Sequence, residues 1–202
     1  MGLQEMHHTK SYSRFMQHDI RTLEEQRDEF KQSKFLATPI AGLIAWTAVL
    51  ISGLFFSDII TVWVLFIATG SIVYLGMGIS KLTGENFLDK NKPKNTFDKL
   101  FFYTVAQAVL VYAIAIPFFM ENYTSLPLTV GILTGLMWLP FSWIIDHWVG
   151  IFHSVVRTFS VLLLWYLFPE GRFIFIPLVI VLIYIITIFV LTRRLKDIKK
   201  EL

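Results

Sequence analysis

Asp146, His147, His153 and Arg157 are four ionisable residues inside an otherwise apolar stretch, Asp146-His147-Trp148-Val149-Gly150-Ile151-Phe152-His153-Ser154-Val155-Val156-Arg157. On a helix, Asp146, Gly150, His153, Arg157 and Ser160 follow spacings of 4, 3, 4 and 3. Such spacings hold them within about 80° of one another. An acid, a glycine gap, an imidazole, a guanidinium and a hydroxyl therefore share one expected stripe. A charged side chain near mid-membrane costs about 2.5–3.5 kcal/mol on insertion scales, so Arg157 needs a partner or a task.

Three tasks fit the stripe. Arg157 can be structural, satisfied by an acid or by backbone carbonyls, with His153 beside it. It can hold an anion or carboxylate, because its rigid fork of five donors matches those groups. In that reading His153, about 6 Å away by helix rise, adjusts the local charge, and Asp146 guards the mouth about 16 Å away. The third task is catalysis on a lipid head group, with His153 as acid/base and Arg157 as phosphate clamp. Gln107 and Tyr103, one turn apart on an earlier helix, are candidate polar neighbours if they face the interior.

Other chemistries find no support. An intramembrane metalloprotease needs two histidines one turn apart with a glutamate between. His147 and His153 are six residues apart with no glutamate between them. No nucleophile elbow, phosphate loop or dinucleotide fingerprint occurs. Asp89 to Leu100 has the length of a calcium loop. However, Pro93, Lys94 and Leu100 stand where a ligand, a glycine and a glutamate are required. There is no cysteine, which removes disulfides and thiolate ligands. No cofactor and no metal are expected.

The elements that must position the stripe are membrane helices. The chain has 202 residues, 55% of them hydrophobic and 16% charged, against about 25% charged in soluble domains. The charges are segregated. Residues 1–34 hold six Lys or Arg and six acids, residues 81–99 five and three, and residues 193–202 five and two. Long apolar blocks between charged islands predict an all-α, polytopic membrane bundle of about six transmembrane helices. Spans are expected near 35–56, 59–80, 100–120, 126–145, 148–168 and 173–192. The segment before them, 1–34, reads as a tail with a charged interfacial helix opened by a Thr22/Glu25 capping box. Residues 193–202 read as a basic tail. Asn95 or Thr96 is the expected cap of span three. The glycines of span two, Gly70, Gly76 and Gly78, read as tight packing, as do Gly131 and Gly135 of span four. Pro140 is expected to kink span four. Sixteen of the eighteen Lys and Arg fall on one side of this topology and Arg172 on the other, which predicts cytoplasmic N and C termini. The basic residues sit at span ends, so nucleic acid is not an expected partner.

Gly78-Ile-Ser-Lys-Leu82, Phe87-Leu-Asp-Lys90, Asn91-Lys-Pro93-Lys-Asn95 and Leu139-Pro-Phe-Ser-Trp143 resemble a family of small, uncharacterised bacterial multi-pass membrane proteins, a domain of unknown function. Gly42-Leu-Ile-Ala-Trp46, following the charged helix, is similar to the same pattern. The resemblance implies a bacterial inner-membrane protein. It implies no activity, and it does not bear on the Asp146–Arg157 stripe.

The expected function is therefore a small-solute or anion transporter, or a ligand-binding bundle. Its site lies around Arg157 and His153, with Asp146, Gln107 and Tyr103 as further candidates. The alternative is a structural or regulatory membrane subunit, with an intramembrane enzyme third. Expected partners are the lipid bilayer and a small anionic or carboxylate ligand. Six short helices can close a cavity as a monomer or as a homodimer, and the sequence leaves both open.

Overall fold

The computed structural model describes residues 21–87, 89 and 93–201. His7 and His8, adjacent in the 1–34 segment and read from the sequence as solvated tail histidines, lie outside them. The chain is helical, with no strand among the described residues. Among the described residues, five helices are long and apolar enough to cross a membrane, or six when one bent pair counts as a single span.

Helix α1 (Leu23–Lys31) opens on the expected capping box: Thr22 Oγ1 accepts from Glu25 N, and Glu25 accepts from Thr22 N. It is tied to the start of span three. Phe30 is buried against Phe35, Phe97 and Phe101. Gln26 Oε1 accepts from Thr96 N at 2.9 Å. Span one is α2 (Ala37–Phe55). Span two is α3 (Asp58–Gly70) followed by α4 (Ile72–Thr83), bent by 50° at Ser71. Local hydroxyls explain the bend. Thr69 Oγ1 donates to Leu65 O at 2.6 Å and Ser71 Oγ to Ala68 O at 2.8 Å, and such back-bonding beside a glycine opens a helix. Span three is α5 (Thr96–Leu110), capped by Asn95, and α6 (Tyr112–Glu121).

Span four departs from its expected form. It is α7 (Leu126–Leu133), a turn through Thr134–Met137, and α8 (Trp138–Ile145). Pro140 does not kink a continuous helix. It sits in the first turn of a new one, where its missing N–H leaves no bond unmade. Span five is α9 (Val149–Leu167) and span six is α10 (Arg172–Glu201). The latter carries the basic segment as helix rather than as a free tail. Leu191, Leu195 and Ile198 continue one helix face into it.

The charged islands close helix ends. Glu85 Oε1 accepts from Leu36 N and Ala37 N, both at 2.9 Å, at the start of α2. Lys34 Nζ donates to Thr83 O at the end of α4. Arg27 donates to Trp143 O and Ile144 O, and Arg194 to Ile145 O and Lys31 O. These cations meet the carbonyls a helix C-terminus leaves bare. His147 lies in the same layer, and its Nδ1 accepts from Val149 N. Burial, then the nearby Arg194 charge, holds its pKa below the ordinary 6.5. The unfolded chain therefore takes up this proton first. The stability contribution is full above about pH 6.5 and is lost as pH falls below it. Thermal unfolding followed from pH 7.5 to 5 should show falling stability, with a shallower fall in His147→Asn. An identical slope in both proteins would remove His147 from the account.

Candidate functional site

Arg157 is the centre of the bundle in the literal sense, with no exposed surface. The break in span four creates its first acceptor. In a continuous helix Gly131 O would receive Gly135 N–H. Here Gly135 N turns to Ile132 O at 2.9 Å, and Arg157 Nε donates to the released Gly131 O at 2.6 Å. That carbonyl belongs to the C-terminal end of α7, where partial negative charge accumulates. Arg157 Nη2 donates to Thr134 Oγ1 at 2.8 Å. Nη1 lies 3.3 Å from His153 Nε2 and donates to Tyr184 OH at 3.2 Å. The guanidinium also lies over the rings of Trp46 and Tyr184, at 5.3 and 5.6 Å, within cation–π range. No ion pair to Arg157 occurs among the described residues. Its charge is met by neutral acceptors and aromatic faces.

The hydrogen bonds fix the tautomer of His153. Thr187 Oγ1 donates its single proton to Ile183 O at 2.8 Å, so it accepts from His153 Nδ1 at 2.9 Å. The Nδ1–H tautomer leaves Nε2 as the lone pair facing Arg157. His153 is fully buried. Its ring stacks on Trp138 at 4.3 Å and meets Tyr184 edge-on at 4.8 Å. Close backbone approach permits this arrangement. A Cβ on Gly135 would stand 2.9 Å from Arg157 Cδ, and one on Gly42 2.4 Å from the Tyr184 ring.

Of the expected site residues, the structure brings Arg157 and His153 together. Asp146 stands apart, because the helix carrying Arg157 begins at Val149. Asp146 adopts a left-handed conformation after α8 (φ 54°). Its side chain is 69% exposed and lies 3.5 Å from Lys31 Nζ. Tyr103 and Gln107 face outward. Tyr103 is 60% exposed, with Lys99 over its ring at 5.7 Å. Thr134, Tyr184, Thr187, Trp46 and the Gly131 carbonyl were not read from the sequence. Tyr184 and Thr187, three apart on the otherwise apolar span six, were the available signal.

Beside this centre the bundle is hollow. A cavity of about 330 Å³ lies between span two and span three. Towards the end of the bundle away from α1, it is closed by Phe66 against Tyr112 and Phe119. Tyr112 OH adds a hydrogen bond to Thr69 at 2.5 Å. Since Thr69 donates to Leu65 O, Tyr112 is the donor. The walls include Val73, Met77, Val105 and Trp138, and the inner end is formed by Thr134 and Tyr184, the two hydroxyls bound to Arg157. Gly70 and Gly76 line it as well. A Cβ added to Gly70 meets nothing within 4 Å, and one added to Gly76 meets only Ala41 Cβ at 4.0 Å. Gly70 therefore leaves space rather than bringing helices together, contrary to the expected tight packing, whereas Gly76 is buried where α4 packs on span one. No group of three or more His, Cys, Asp or Glu able to hold a metal occurs among the described residues.

Comparison with curated proteins and with solved structures returned no match. The family of unknown function DUF7010 matches residues 23–194, and the chain, a helical bundle with an arginine at its centre, belongs to that family.

Proposed function

We propose that this protein binds a ligand of mainly apolar character within the membrane, and that Arg157 and His153 form the rigid polar backing of the site. The observation that carries the reading is the cavity ending on Thr134 and Tyr184, both held by Arg157. Its size falls in the range of small-molecule sites. The breaks in spans two and four adjoin it, as discontinuous helices adjoin midplane sites in transporters. A transporter-like role is the dynamic form of the same reading. Direct coordination of an anion by Arg157 would require displacing Thr134 or Tyr184. By the basic-residue count, α1, the 84–95 loop and the end of α10 lie on the cytoplasmic side, of a bacterial inner membrane if the family resemblance extends to location.

The test uses 1-bromododecane as a bromine quencher. Trp138 lines the cavity and is almost wholly buried. In nanodisc-reconstituted protein with Trp63, Trp143, Trp148 and Trp165 replaced by Phe, 1-bromododecane should quench the remaining fluorescence. Gly76→Leu, which fills the cavity without a clash at Cβ, should abolish that quenching at unchanged stability. Equal quenching in both proteins would overturn the reading.

One observation favours a second, structural reading. Arg157 commits four of its five N–H groups to the protein itself. On that reading the chain is a scaffold or regulatory subunit, and the cavity is a packing defect filled by lipid.

A further inference from the structure

Of the hydroxyls that line the cavity, those of Thr69, Tyr112 and Thr134 have their protons committed; Thr38 is only half-buried, and Tyr184 is the buried one without an acceptor. Thr69 donates to Leu65 O, Tyr112 to Thr69, and Thr134 to Val130 O at 2.6 Å. Tyr184 OH accepts from Arg157 Nη1 at 3.2 Å, and among the described residues no acceptor takes its proton. The residue is 5% exposed and lines the cavity. A buried O–H without an acceptor is costly. Donation from the guanidinium to the same oxygen also polarises the O–H and strengthens it as a donor. Apart from the half-buried Thr38 the remaining walls are apolar, so a charged group entering there would lose its hydration without full compensation.

We infer that the ligand is an apolar molecule bearing one neutral hydrogen-bond-accepting oxygen (a carbonyl, ester or ether) and that Tyr184 is the specificity-determining donor to it. The inference rests on the cavity being the ligand site. The apolar body lies along α4 and α5, against Val73, Met77 and Val105. The acceptor oxygen meets the Tyr184 proton at the inner end. Arg157 and His153 do not touch the ligand. Arg157 holds the Tyr184 oxygen, and His153 packs against the Tyr184 ring at 4.8 Å, which makes both of them positioning residues.

Three probes of equal chain length test this on the full chain in lipid nanodiscs: dodecan-2-one labelled with carbon-13 at the carbonyl, dodecane, and laurate. The wild-type protein should bind the ketone more tightly than dodecane by about fivefold to tenfold, the worth of one hydrogen bond. The bound ketone should show an infrared carbonyl band at lower frequency than the same ketone in protein-free nanodiscs. Tyr184→Phe keeps the ring beside Gly42 and should remove both the preference and the shifted band, while dodecane binding stays unchanged. Gly76→Leu keeps Tyr184 and should remove binding of both probes. Ketone and dodecane binding equally, without a shifted band, would overturn the assignment of Tyr184 and leave the cavity standing as a site. No binding of either would overturn the cavity itself. Laurate binding more tightly than the ketone would overturn the neutral acceptor in favour of an anion. The wild-type band is informative even if Tyr184→Phe does not fold.

Discussion

Replacing Arg157 by leucine is expected to destabilise the folded bundle by about 3 kcal/mol or more. The side chain is not an ion-pair partner whose loss leaves a bare carboxylate. It is the common donor to Gly131 O, Thr134 Oγ1, Tyr184 OH and His153 Nε2. Leucine removes the buried charge but leaves these four acceptors unmet in a site closed to water. The Gly131 carbonyl suffers most. It lost its helical partner at the break in span four, and the hydroxyl at that break, Thr134, is already committed to Val130 O. Arg157→Lys keeps the charge but presents its donors from one point on a narrower head. It cannot reach four acceptors arranged around a planar fork, so a loss of about half that size is expected. Thr134→Val removes one acceptor and should cost about 1 kcal/mol. Denaturant titration of purified protein in detergent, read by tryptophan fluorescence, measures all three. If Arg157→Lys matched the wild type, charge rather than fork geometry would be the stabilising feature, and the staple across the break would be wrong.

How much of this was legible in the sequence depended on range. Local signals transferred well. Thr22 with Glu25 made the capping box, Asn95 capped span three, and Arg157 met His153 one turn away. These contacts are decided within a few residues by backbone geometry. The stripe failed at Asp146 because a helix was extended through a turn. The left-handed backbone at Asp146 is most often taken by glycine, with Asn and Asp next, a preference too weak on its own to mark the turn. Tyr103 and Gln107 were candidates only if they faced the interior, and both are exposed. Two polar residues one turn apart do not say which face of an apolar span turns inward. The partners of Arg157 and His153 on span six lie 27 and 34 residues along the chain. They are fixed by helix pairing, which residue spacing does not encode. The kink expected at Pro140 is absent, and span four breaks earlier, at Thr134–Met137. The proline starts α8, whereas the catch on the freed carbonyl comes from another span.

The glycines should divide into two classes on substitution by alanine, with opposite signs. Span one and span six, α2 and α10, form the most extensive helix pair, and they approach to backbone contact. A Cβ on Gly53 would lie 2.2 Å from Phe173 O, and one on Gly150 in the α8–α9 hairpin 2.3 Å from Trp138 O. Neither obstacle is a flexible side-chain tip that can swing away. The helices must part instead, which loosens every contact along the pair. Gly53→Ala and Gly150→Ala are therefore each expected to destabilise by about 2 kcal/mol or more. Gly78, in the interior of α4, has nothing within 4 Å of an added Cβ. Gly78→Ala should be neutral or stabilising by up to about 1 kcal/mol, because alanine restricts the unfolded chain and favours helix. The contrast separates two physical uses of glycine that look alike along a span. One permits contact between backbones, and the other, as at Gly70, withholds a side chain so that a cavity persists. Parallel unfolding titrations of the three variants decide the matter. Comparable losses at Gly53 and Gly78 would mean that the exposed face of α4 meets a neighbour, and the division of the glycines into two classes would fail.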